Sequence, residues 1–570
     1  MFPKIIFLLE QTKVKKFFFL ILISLQTLID LAGVGLVFPL VNFLVNDNTV
    51  SSLSIFNISI SINMLITIIL IFFALKFFFS VFLNYKILIF GKFIKIKLQE
   101  TLIKQYQQMS FLDFLSRDRS YYFFKTETLT KNFSDLVISL LRTFCEVFAA
   151  FFIIIFLGYI SWKFLLALIF FFIISVILFD FSFKKKFIKL GKISNQIYSK
   201  MLKNIYDIFD GYLDIKIFNK ENFFLKRAIF ASKKSAIIEA NFEIYPISTK
   251  YYLELVIMLI FSISFFYFLR FKSDNFIFES LPIIITFGVA AIKLMPIFNT
   301  LMRTSSLVRR FKDTVNILYD DFKEISKVSK KQIINKKLNI NDKFSNPEKF
   351  KRLRIKSLNY SFNKKQILKD INITINKNDF VGLIGKSGSG KTSLINIICG
   401  IYPNYSGKIF FNDKNLKSCM KAWKDKISYI PQSSFLINDS IKRNITFDNK
   451  PLNKKIFSKA LSGSKLKNFL SQKKSGIEFK IGDKGSKISG GQKQRLLIAR
   501  SFYHDREIII FDESTSALDS EIEEKIFNDL KKLKGQFTAI FISHNKNLLK
   551  FCNKVYELKN KGIKTVKNEK

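Results

Sequence analysis

A chain of 570 residues with 90 Lys+Arg against 44 Asp+Glu, a formal net charge of +46, is nevertheless 49% hydrophobic and holds 68 Phe, so it is not disordered: that much apolar surface has to be covered. Four cysteines make no disulfide framework, and the length allows roughly two to four domains. A nucleic-acid binder would account for the charge but not for the apolar content, whereas a membrane protein with basic cytoplasmic parts accounts for both; codon bias toward Lys, Ile, Phe and Asn adds charge without function.

Met1–Lys16 reads as a short amphipathic helix at the membrane interface, with no signal-peptide cleavage pattern. Apolar stretches follow at about 17–45, 62–90, 133–161, 164–183, 252–270 and 281–302, each reaching the ~20 residues that cross a hydrocarbon core as a helix. Between the third and fourth, Ile160-Ser161-Trp162-Lys163 leaves room only for a tight hairpin. Asn46–Ile60 has no Lys or Arg, while the connection 91–131 carries Lys92, Lys95, Lys97, Lys104, Arg117, Arg119, Lys125 and Lys131, and 184–246 opens with Lys184-Lys185-Lys186. Positive connections stay inside, so both termini and the two long connections are expected in the cytoplasm. Few Gly or Pro interrupt those connections, which predicts helices continuing past the bilayer surface. The expectation for 1–310 is an all-α polytopic membrane domain with six transmembrane helices.

Ionisable residues within such spans are costly and tend to face the bundle interior. Lys76, Lys250 and Lys293 would suit an anionic head group such as a pyrophosphate; Asp30, Glu146 and Glu254 are possible counter-charges, and structural pairing is the bland alternative.

A polar, Lys-rich linker is expected over 311–345. From 346 to 570, short β-rich runs alternate with helical segments, the pattern of a parallel α/β sheet. Gly385-Lys386-Ser387-Gly388-Ser389-Gly390-Lys391-Thr392 fits G-x-x-x-x-G-K-[ST] between the apolar run Phe380–Ile384 and the helical Ser393–Cys399. Glycines let backbone N–H groups close round phosphates, Lys391 reaches the β- and γ-phosphates, and Thr392 ligates Mg²⁺; Ser393 opens the helix whose N-terminus favours the anion. Ile508–Glu513 reads as a buried strand ending in two carboxylates, Asp512 on the metal side and Glu513 as catalytic base.

Ile488-Ser489-Gly490-Gly491-Gln492 resembles the signature of the ATP-binding cassette family. The remaining motifs fall in that family's order. Gln432 resembles the glutamine that senses Mg²⁺ and the γ-phosphate. Ser516-Ala517-Leu518-Asp519 resembles the loop that crosses between cassettes, and His544 the switch histidine; His504 has no motif around it and reads as a surface residue. Alignment on Leu353–Phe362 places Phe362, or Tyr360 two residues earlier, at the adenine-stacking position. The resemblance implies an exporter-type half transporter: a six-helix membrane domain followed by an α/β P-loop ATPase using ATP and Mg²⁺. It also implies a homodimer in which Ser489, Gly490, Gly491 and Gln492 complete the partner's ATP site, with short coupling helices near Leu112–Tyr121 and Asn219–Phe224. Neither nucleic acid nor an obligate extra subunit is implied, and the expected location is a bacterial inner membrane.

Ala291-Ile292-Lys293-Leu294-Met295-Pro296, Asp30…Pro39 and Lys250-Tyr251-Tyr252-Leu253-Glu254 look like the flippases of lipid-linked oligosaccharides in bacterial protein N-glycosylation. That resemblance implies flipping of a polyprenyl-pyrophosphate-linked glycan or related glycolipid; export of another lipid, a hydrophobic drug or a peptide is the alternative.

Overall fold

The computed structural model describes residues 1–12, 24–26, 28–29, 32–33, 52–55, 58–162, 165–166, 169–170, 193–271, 274–324, 348–363, 365–431, 435–512, 528, 531–532, 534–542 and 552–566. The first and fourth apolar stretches, 17–45 and 164–183, and Asp30 lie largely or wholly outside them. Two compact units result: Met1–Met109 with Asp113–Asn339, and Ser110–Leu112 with Ile340–Lys570.

Among its described residues the first unit is helical apart from one hairpin, β1 (Ser52–Ile55) and β2 (Ile58–Ser61), paired antiparallel with Ser52 opposite Ser61. Its frame is four long helices: Ile62–Gln108 of 47 residues, Thr130–Ile160 of 31, Glu221–Phe271 of 51 and Asp274–Arg310 of 37. At 1.5 Å per residue the first runs about 70 Å, more than twice a ~30 Å hydrocarbon core. Among the described residues, two helical segments, Ile66–Gln108 and Arg119–Ile160, are long and apolar enough to cross a membrane. Around the first, Leu70, Ile71, Leu75, Phe77 and Phe78 are all exposed, as on a helix whose surroundings are apolar rather than aqueous.

The far end of the same helix changes character. Phe90, Ile94, Leu98 and Leu102, spaced four apart, form one buried stripe that packs with Phe124, Leu129, Phe133 and Leu136. Helix 312–324, which falls in the stretch expected as linker, adds Val315, Leu318 and Phe322 to this core; its spacing of buried residues is helical, which the Lys-rich composition hid. Phe2–Gln11 also departs from expectation. Part of its apolar surface is covered by protein: Ile5 and Leu8 are buried in the same core, Lys4 Nζ donates to Asn316 Oδ1 at 2.7 Å, and Phe7 meets Tyr319 edge to face, while Phe2 and Ile6 stay exposed. Where Ile62–Gln108 crosses Thr130–Ile160, Gly91 is required: a Cβ there would lie 2.2 Å from Ile138 Cγ1, and Ser134 Oγ donates to the Gly91 carbonyl.

Short helices cover Phe111–Leu115, Arg119–Phe123 and Tyr212–Ile217. The last lies ahead of the expected 219–224. Asn219, at φ 51°, closes it, with Lys220 N donating to Ile215 O and Asn219 N to Lys216 O, and the long helix starts at Glu221.

The second unit has two sheets. An antiparallel one, in the order β4-β3-β6-β7, is made of β3 (Arg352–Phe362), β4 (Lys365–Asn376), β6 (Ser406–Phe411) and β7 (Lys414–Asn415). The other runs β12-β11-β5-β10-β9-β8. It comprises β5 (Phe380–Gly385), β8 (Ile427–Ile430), β9 (Ile508–Asp512), β10 (Thr538–Ile542), β11 (Lys554–Lys559) and β12 (Gly562–Val566). All its pairs are parallel except β11 with β12. Every residue of β9 and β10 is buried, as expected of parallel strands covered on both faces. Helix Lys391–Ile398 packs in the core shared with the antiparallel sheet, and helix Gly490–Tyr503 in the core on the other face.

Candidate functional site

The Gly-rich loop leaves the C-terminal end of β5, a central strand, and feeds helix Lys391–Ile398. Gly390, its N-cap, sits at φ 102°, where a Cβ would lie 2.9 Å from Leu368 Cδ2; at Gly385 a Cβ would lie 2.6 Å from both Leu558 O and Ser389 Oγ. Only glycine fits these two positions, and the helix N-terminus opens above them. Lys391 is buried, its Nζ donating to Gly385 O at 2.7 Å and Lys386 O at 3.1 Å, so the ammonium is folded over the loop. Ser389 Oγ is buried with no partner among the described residues. Lys386, Ser387, Gly388 and Thr392 are exposed at the lip, with Ser393 half-buried behind. A buried cation, an orphaned hydroxyl and a backbone cradle closed to side chains fit the phosphates of a nucleotide.

Asp512 ends β9, one strand away from β5 across β10. It is 8% exposed, and its Oδ2 accepts a 2.6 Å hydrogen bond from the Tyr429 hydroxyl on β8. Burial, then the bond to Asp512, push the Tyr429 phenol well above its ordinary range, so it remains a donor. Burial pushes the nearby Cys399 thiol up to about 12, with the Asp512 charge adding to it; the four cysteines form no disulfide with one another. Asp512 with the exposed Thr392 hydroxyl supplies hard oxygen donors, the chemistry Mg²⁺ takes.

Ser489 caps helix Gly490–Tyr503 in a capping box: its Oγ accepts from Gln492 N, and Gln492 Oε1 accepts from Ser489 N. Ser489 and Gly490 are exposed, so this N-terminus faces outward, while Gly491 is buried.

The two aromatic candidates separate cleanly. Tyr360 is 5% exposed and stacks on Tyr402 at 5.6 Å within the core, so its ring is unavailable to a ligand; Phe362, at the end of β3, is 44% exposed. His504 is half-buried rather than superficial, edge-on to Tyr503, and burial lowers its pKa. Gln432, Glu513, Ser516, Ala517, Leu518, Asp519 and His544 lie outside the described residues. The parallel strands β8, β9 and β10 end at Ile430, Asp512 and Ile542, one or two residues before Gln432, Glu513 and His544, at the same C-terminal end of the sheet.

In the helical unit a cavity of about 860 Å³ is lined by Lys92, Lys131, Arg142, Arg303 and Arg310 together with Glu127, Asp135, Glu146, Glu239 and Glu243. A second, of about 440 Å³, is lined by Lys293, Arg142, Glu146, Gln26 and Asn84 with mostly apolar residues around them. Lys76 and Lys250 line neither; Lys250 lies 3.8 Å from Glu254, one helical turn on, and Lys76 sits 5.9 Å from the Phe73 ring. Of the three lysines, Lys293 is the one that lines either of these two cavities. Tyr429, which no motif marked, is the site residue the sequence reading missed; its place beside Asp512 depends on strand register.

Residues 368–516 match the family described as ABC transporter. Among curated relatives, the chain is 35% identical over 239 residues to the lactococcin-G-processing and transport ATP-binding protein LagD of Lactococcus lactis, covering 41% of this chain and 33% of that one. It is 30% identical over 212 residues to a probable ABC transporter ATP-binding/permease protein of Haemophilus influenzae, covering 37% and 38%. A putative multidrug export ATP-binding/permease protein of Staphylococcus aureus is 34% identical over 208 residues, 36% of each chain. The match thus spans about a third of these relatives' lengths. A solved bacterial Atm1-family ABC exporter with ATP bound superposes on 96% of this chain and 95% of its own with a TM-score of 0.72 at 18% identity. The chain therefore has the ABC exporter fold, a helical unit followed by an α/β ATPase unit.

Proposed function

We propose that this chain is one half of a membrane exporter that hydrolyses ATP to move its substrate across a bilayer. The observation that carries the reading is a nucleotide cradle (Gly385, Ser389, Gly390 and Lys391, with Asp512 one strand away) on the same chain as a 47-residue helix whose apolar stretch lies uncovered.

In this reading Lys391 turns from the carbonyls of Gly385 and Lys386 toward the β- and γ-phosphates, and the loop N–H groups close round them. Thr392, Gln432 and Asp512 hold Mg²⁺, which neutralises phosphate charge. Glu513 orients and deprotonates the attacking water, and His544 holds the terminal phosphate. Phe362 stacks on the base. The outward N-terminus at Ser489 and Gly490 serves the ATP site of a second copy, which makes the working unit a homodimer; Ser516–Asp519 lies between the cassettes.

The finer substrate reading is a polyprenyl-pyrophosphate-linked oligosaccharide moved from the inner to the outer leaflet of a bacterial inner membrane. Lys293 and Arg142 in the smaller cavity support it. The larger cavity, with five basic and five acidic side chains, favours a second reading: a polar cargo carrying both charges, such as a peptide. That fits the processing and transport named for the lactococcal relative. ATP-dependent transport in proteoliposomes, offered a lipid-linked oligosaccharide, a zwitterionic peptide and an amphipathic drug side by side, tests both. Movement of none of the three, with ATP hydrolysis intact, would remove the export reading.

A further inference from the structure

Tyr429 on β8 is level with Ile510 on the neighbouring parallel strand β9, and Ile430 with Phe511. Asp512 is two residues beyond Ile510 and points to the same face of the sheet. Two residues of strand rise are about 6.6 Å, a step that a tyrosine side chain leaning along the strand covers and most others do not. The hydroxyl arrives 2.6 Å from Asp512 Oδ2, the length of a hydrogen bond to an ionised acceptor, at a carboxylate almost closed to water. A phenylalanine there would fill the same space without the donor.

We propose that Tyr429 is a positioning residue for the metal-side carboxylate: its hydroxyl fixes the rotation of the Asp512 carboxylate plane that Mg²⁺ requires. The inference rests on the reading of Asp512 as a metal-side residue. Mg²⁺ accepts only near-octahedral geometry at short distances, so a carboxylate free to rotate binds it less well than one already aimed. Tyr429 also lies next to the last residue of β8, Ile430, shortly before Gln432 in sequence.

The test uses the full-length chain in detergent or nanodiscs and the variant Tyr429→Phe. Mn²⁺ binding to the nucleotide-loaded protein, followed by electron paramagnetic resonance, gives a metal affinity independent of turnover; the Mg²⁺ dependence of ATP hydrolysis gives a second. Metal affinity is expected to weaken about tenfold in both, the usual loss when a group that orients a metal ligand is removed. Nucleotide binding in EDTA should stay within about twofold of the parent. Introduced into Asp512→Asn, Tyr429→Phe should cause no further loss, and p-aminophenylalanine at 429, which restores a donor, should recover most of the affinity. Tyr429→Met is the second variant should Tyr429→Phe fail to fold. An unshifted metal affinity, or the same tenfold loss in the Asp512→Asn background, overturns the role of Tyr429. A parent chain with no metal-dependent nucleotide hydrolysis overturns the reading of the whole site, and this inference with it.

Discussion

Lys125 and Asp321, 196 positions apart, meet as a buried ion pair with Nζ 2.7 and 2.6 Å from the two carboxylate oxygens. Their side chains are only 8% and 20% exposed. Burial raises the Asp321 pKa even though Lys125 pulls it down, so removing the charges from water is the larger effect. Removing one partner should therefore cost more than removing both: about 3–5 kcal/mol for Lys125→Ala, which strands the carboxylate. Lys125→Met with Asp321→Leu should fall well short of that. Thermal unfolding of the purified chain checks the order. A double variant as unstable as Lys125→Ala would mean that the pair itself, not the stranded charge, holds the helices.

Gly385→Ala should abolish binding of a fluorescent ATP analogue, because its Cβ would lie 2.6 Å from Leu558 O. Gly388 also has positive φ, but a Cβ there meets nothing within 4 Å. Gly388→Ala should cost only the left-handed backbone strain, about 1 kcal/mol, and leave measurable binding. Equal losses in both variants would count against a cradle defined by backbone approach.

For the base-stacking role, Phe362→Ala should raise the KM for ATP by roughly tenfold with little change in Tm, since a stacked base is worth about 1–3 kcal/mol. Tyr360→Ala should do the reverse: Tm falls sharply through a core cavity, while any folded fraction keeps its KM. A KM effect confined to Tyr360 would reverse the assignment.

Glu513→Gln should reduce ATP turnover by at least about 100-fold, the contribution of a general base, while nucleotide binding persists. Turnover and trapped nucleotide are measured on the same preparation. Turnover near the parent level would leave Glu513 without the role proposed for it.

Features that live in local spacing were legible before any coordinates. Gly385 and Gly390 sit where the backbone admits nothing else, and Ser489 and Gln492 stand at the separation a capping box needs. The β-α alternation after residue 346 anticipates the parallel sheet because strand burial on both faces leaves continuous apolar runs. Contacts between distant segments were not legible. Lys125 counted as one of many basic residues in a cytoplasmic connection, and nothing near it in sequence points to Asp321. Tyr360 and Phe362 are equivalent as letters, and strand alternation would set both on one face; the register shift between Tyr360 and Ser361, at the very end of β3, leaves the second ring out. Tyr429 gained meaning only from the register of β8 on β9. Ile5 and Leu8 spell an amphipathic helix equally well for lipid or protein, and the partner stripe around Phe322 decides it.

The helix Ile62–Gln108 has no interruption along its 47 residues, unlike Glu221–Phe271, which contains Pro246. It behaves as a lever. Over a length of about 70 Å, a tilt of about 5° displaces the far end by about 6 Å. The angle at which Phe90, Ile94, Leu98 and Leu102 seat in their core therefore sets where Leu70 and its neighbours stand.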